Sequence, residues 1–195
     1  MEGRRGRPPG QDNLSHAYAV RYSLPPSPNC PSGGNATCDV IYFGSDRFDN
    51  SGDAQQGFWF LQNAIGLGTN KVGGANGFTS TSAPEFHRAG DVLIISDFSN
   101  GGTTSTITVY KWDPACTAAN RPDAGCGDAN LRLVANLTGP PANCVTAPNA
   151  DIACGLVNPV TITMPWSFTD KSSTPNNGAL NGEFFEAGST CRSSI

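Results

Sequence analysis

Eight stretches of this chain read as extended strand, and no part carries the three-to-four spacing of an amphipathic helix. In most of them apolar residues recur at every second position, which places successive side chains on opposite sides of an extended backbone. The stretches are 16–24, 38–44, 57–62, 91–98, 104–112, 130–137, 159–168 and 182–188. The first sets Tyr18, Val20, Tyr22 and Leu24 against Ala17, Ala19, Arg21 and Ser23. The seventh sets Ile162, Met164, Trp166 and Phe168 against Thr161, Thr163 and Ser167. Residues 91–98 are the most continuously apolar, which predicts a strand in the middle of a sheet.

The connections agree. Gly and Pro supply 23 and 15 of the 195 residues, whereas Lys and Glu supply three and four. A coiled coil needs the reverse balance, collagen needs Gly at every third position, and a membrane helix needs about 18 consecutive apolar residues. None of these fits. Alternating strands without crossover helices predict an all-β fold, an antiparallel β-sandwich of about eight strands in a jelly-roll or concanavalin-like arrangement. Residues 1–11 read as a disordered extension and 12–195 as a single β-sandwich domain. Both ends look like cut edges of a longer secreted protein. From residue 8 onward nine basic residues face fifteen acidic ones. That balance argues against nucleic acid and anionic lipid as partners.

Six of the seven cysteines fall into three neighbouring pairs, Cys30 with Cys38, Cys116 with Cys126 and Cys144 with Cys154. Neither His lies near a pair and no Cys-x-x-Cys occurs, so zinc and redox catalysis are poor readings. Three local disulfides closing loops between strands is the economical one, and it predicts export to an oxidising compartment. Six cysteines allow fifteen pairings, of which the sequential one is favoured. Cys191 is left over, in a stretch that loses the strand pattern; a free thiol, an intermolecular bridge and a damaged terminus are the readings open to it.

Four sets of residues offer candidate chemistries. Asp46, Asp49, Asn50 and Asp53 offer hard oxygen ligands on a turn that Gly52 lets bend, so calcium is one reading. A plain Asp/Asn/Gly turn, with Arg47 paired to a neighbouring carboxylate, is the other. Trp59, Trp112 and Trp166 either fill the core or stack on pyranose rings; in Phe58-Trp59-Phe60 the alternation turns Trp59 away from its neighbours. Glu183 and Glu186 would suit a polysaccharide hydrolase, but three positions apart on a strand they point to opposite faces. His16 and His87 have no nucleophile elbow to serve and carry no predicted role. Asn13, Asn35 and Asn136 open glycosylation sequons.

The motifs starting at Tyr42 (YFGSDRFDNSGD), Gly57 (GFWF), Gly90 (GDVLIISDFSNGG), Ile107 (ITVYKW), Pro165 (PWSFTDK) and Gly182 (GEFFEAG) occur in that order. Over residues 12–188 the chain resembles a β-rich region of uncharacterised secreted bacterial, often actinobacterial, cell-surface proteins. The resemblance implies a surface location and further β-sandwich repeats downstream, and it carries no catalytic residues. The expectation is therefore a non-enzymatic secreted or cell-surface module with a structural or adhesive role. Lectin-like binding of carbohydrate, or contact with a cell-surface protein, is its specific form; a polysaccharide-active hydrolase is the alternative.

Overall fold

The computed structural model describes residues 13–26, 38–67, 78–80, 87–99, 104–138, 153–158, 160–171, 178–179 and 184–191. They are all-β. Ten strands occur among them: β1 (Leu14–Leu24), β2 (Cys38–Arg47), β3 (Ala54–Phe60), β4 (Ile65–Leu67), β5 (Phe78–Ser80), β6 (Val92–Ser99), β7 (Thr104–Thr117), β8 (Ala129–Thr138), β9 (Ala153–Val157) and β10 (Phe184–Cys191). Two four-stranded antiparallel sheets run in the orders β1-β2-β10-β9 and β3-β6-β7-β8, and β4 and β5 form a short hairpin. The apolar stretch 91–98 does lie mid-sheet, as β6 between β3 and β7.

The chain divides into two compact units. One takes residues 1–56, 95–107 and 137–194; the other is mainly residues 57–94 and 108–136. In the first, Phe43 of β2 and Phe185 of β10 pack edge to face at 6.4 Å and are fully buried with Ile107. Gly155 on β9 makes that packing possible. A Cβ there would stand 2.8 Å from the Phe185 ring and closer still to Ile107 Cδ1. Ser45 of β2 donates to the Gln56 side chain of β3, joining strands of different sheets.

One expected strand is absent. In residues 160–168 burial alternates as predicted, with Met164 and Phe168 buried, Ile162 and Trp166 half-buried and Thr161, Thr163 and Ser167 exposed, although the chain bends at 165–166. Yet among the described residues they join no sheet, and an isolated bridge links Ile162 to Ala179. Met164, Phe168 and Ala179 instead form a small core that Ile162, Trp166 and Phe184 cover. Burying every second side chain requires a surface to pack against but not a ladder partner. Conversely, β4, β5 and β9 lie outside the eight predicted stretches. They are short, three to five residues, and leave little periodicity to detect.

Candidate functional site

In the second unit two of the three tryptophans come together. Gly90 adopts φ 95°, a conformation that suits glycine, and turns the chain into β6. Its N–H donates to the Trp112 carbonyl at 2.8 Å, and Trp112 N–H donates to Asp91 O at 2.7 Å. That pairing seats Trp112 of β7 beside the 87–91 turn. Asp91 is fully buried. Its Oδ1 accepts the Gln62 backbone N–H at 2.9 Å and the Gln62 side-chain amide at 3.2 Å. Its Oδ2 accepts Arg88 N–H at 3.0 Å, with His87 Nδ1 at 3.3 Å. A buried carboxylate requires such a shell of donors, because water no longer solvates it. The outcome is a fixed His87, whose ring centroid lies 4.4 Å from Trp59 and 4.4 Å from Trp112, stacked on the latter at 21°. Trp59 remains 37% exposed and the His87 side chain 26% exposed.

The third tryptophan belongs to the first unit and to another arrangement. Asp46, fully buried on β2, accepts His16 N–H at 2.7 Å, His16 Nδ1–H at 2.8 Å and Trp166 Nε1–H at 2.8 Å. Tyr18, His16 and Phe184 surround the indole at centroid distances of 5.7, 5.8 and 6.1 Å. Tyr18 lies over Gly44, where any Cβ would meet its ring carbon at 2.7 Å, and donates its hydroxyl to Glu186 at 2.7 Å. Burial, and then the Glu186 carboxylate, push the Tyr18 hydroxyl pKa upward.

The acidic loop places its members apart. Asp46 turns to His16 and Trp166. Asp49 accepts Lys171 Nζ–H at 2.7 Å and Ser51 N–H at 2.7 Å. Burial works to raise the Asp49 pKa, but these donors overcome it and hold the group at about 2. Gly52 bends the turn at φ 71°; Asn50 and Asp53 are also engaged in contacts. Among the described residues no group of three or more His, Cys, Asp or Glu side chains is placed to hold a metal ion.

Cys116 and Cys126 form a disulfide that closes the β7–β8 connection. Beside it Arg132 donates to Asp113 at 2.7 Å and to Asp123, and both carboxyl pKa values lie below the usual range because of these bonds. Cys30 and Cys144 lie outside the described residues, as do the side chains of Cys38, Cys154 and Cys191 and the whole of Glu183. Glu186 is the acceptor for Tyr18.

Neither histidine is incidental. Each rests on a buried aspartate and against tryptophan, and sequence reasoning missed both. His87 and Asp91 stand four apart, a usable signal; His16 and Asp46 are 30 apart and leave none. Comparison with known proteins finds no matching family model, no matching curated protein and no matching solved structure.

Proposed function

We propose that this chain is a non-enzymatic, secreted or cell-surface β-sandwich module of the jelly-roll type, with an adhesive role exercised by binding carbohydrate at Trp59, His87 and Trp112. One observation carries the reading: two tryptophans from different strands converge on one histidine, half-exposed, with a buried carboxylate fixing the turn beneath. Aromatic rings with an exposed face stack on the C–H faces of pyranose rings, and the rigid backing keeps the loss of side-chain freedom on binding small. Arg88, exposed next to the cluster, and the side-chain oxygen of Gln62, whose amide N–H groups bond Asp91 and Ala89, supply polar groups for sugar hydroxyls. The Cys116–Cys126 disulfide supports an oxidising, extracellular location.

A glycan array probed with the full chain tests the reading. The expected result is retention on a restricted set of glycans, with Trp59→Ala lowering affinity at least about tenfold while the far-UV spectrum stays unchanged. Binding to no glycan, or binding indifferent to Trp59→Ala, would overturn it. Repeating the array in EDTA tests calcium at the 46–53 loop: loss of binding would require Asp49 to exchange Lys171 for the ion.

A further inference from the structure

β1 ends the sheet order β1-β2-β10-β9, and among the described strands it pairs with β2 alone. It is 11 residues long, with every described side chain exposed except that of Tyr18. Long open edges template further pairing, and proteins usually blunt them with Pro, Lys or inward charge. β1 contains no Pro and no Lys, and its one formal charge, Arg21, is tied sideways to Asp39 at 2.6 Å. Its single irregularity, a register shift, falls between Leu14 and His16 and leaves the rest straight. Four of the large apolar side chains that remain exposed, Leu14, Val20, Tyr22 and Tyr42, sit on this strand or its neighbour.

The sequence of the strand says what fits there. Leu-Ser-His-Ala-Tyr-Ala-Val-Arg-Tyr-Ser-Leu is close to self-complementary about Ala19. Antiparallel pairing of two such strands on a two-fold axis through Ala19 sets Leu14 opposite Leu24 and Ser15 opposite Ser23. It also sets His16 opposite Tyr22, Ala17 opposite Arg21 and Tyr18 opposite Val20. No like charges meet, and aromatic residues face a β-branched or an aromatic partner, the combinations that stabilise cross-strand pairs. A two-fold contact must be self-complementary in this sense. We propose that β1 is a homodimerisation edge, joining the β1-β2-β10-β9 sheets of two copies into one eight-stranded sheet with Ala19 on the dyad.

Sedimentation velocity on the full chain across a micromolar concentration series tests this. A reversible dimer is expected. Ala19→Lys sets two ammonium groups opposite each other only in the dimer, and raises the dissociation constant by about tenfold or more, with an unchanged melting midpoint at concentrations where the chain is monomeric. Position 17 tests the register independently: Ala17→Glu faces Arg21 of the second copy and tightens the dimer, whereas Ala17→Lys weakens it. A chain monomeric at every concentration overturns the proposal. So does a dimer indifferent to Ala19→Lys, or one that both Ala17 variants shift in the same direction.

Discussion

Each of the two units contains a histidine, a fully buried aspartate and tryptophan in contact, and the two sets put the same residue types to different use. Asp46 is bonded by side chains from far apart in the chain, His16 30 residues away and Trp166 120 residues away. It clips β1 and the 160–171 segment onto β2, and the indole N–H is consumed in doing so. Asp91 is held by the backbone N–H groups of Gln62 and Arg88 together with the Gln62 and His87 side chains, and what it fixes is a turn. Its tryptophans contribute ring faces rather than N–H groups to the contact with His87. A carboxylate that joins distant segments acts on the whole unit, whereas one that closes a turn acts on the geometry of a surface cluster.

Removing the carboxylates gives the largest contrast. Asp46→Ala strands the His16 and Trp166 donors and is expected to lower unfolding stability by about 3 kcal/mol. Asp91→Ala removes an acceptor whose donors sit on the exposed residues Gln62 and Arg88 and on His87, and is expected to lower it by about 1–2 kcal/mol. Denaturant titration with a common slope reads both, and equal losses would erase the distinction. A subtler break is Trp166→Phe, which keeps a ring but loses the N–H to Asp46; about 1.5 kcal/mol is expected. Trp59→Phe, at an exposed position, is expected to change stability by less than about 0.5 kcal/mol. The smallest effect concerns acid. Asp49 titrates at about 2 in the folded chain, below its ordinary value, so the Lys171 contact contributes fully above about pH 4 and is lost as pH falls towards 2. Lys171→Met is therefore expected to flatten the stability profile in that window and to leave it unchanged in slope near neutrality.

The strands show what could be read in advance. Ile107 and Val109 are buried and their neighbours Thr106, Thr108 and Tyr110 are not, as the alternation along β7 requires. Trp59 is turned outward between Phe58 and Phe60 for the same reason. Alternation does not say which row meets protein. On β1 the aromatic row carries Val20 at 41% and Tyr22 at 52% exposure, since no described strand or segment covers that end of the face. Nor does it say whether an alternating segment joins one of the described sheets, as 160–168 shows.

Local backbone geometry was thus written into the chain: alternating stretches, the turn at Gly52, the closure between Cys116 and Cys126. Each depends on residues within about ten positions of one another, and short-range sterics enforce it. Tertiary structure decided the encounters: Trp166 with His16 rather than with the other tryptophans, and His87 between Trp59 and Trp112. It also decided that β1 stands at a sheet edge. These rest on contacts between residues tens of positions apart, set by which faces bury together and which donors a buried carboxylate can reach, and such long-range choices leave no period in the sequence.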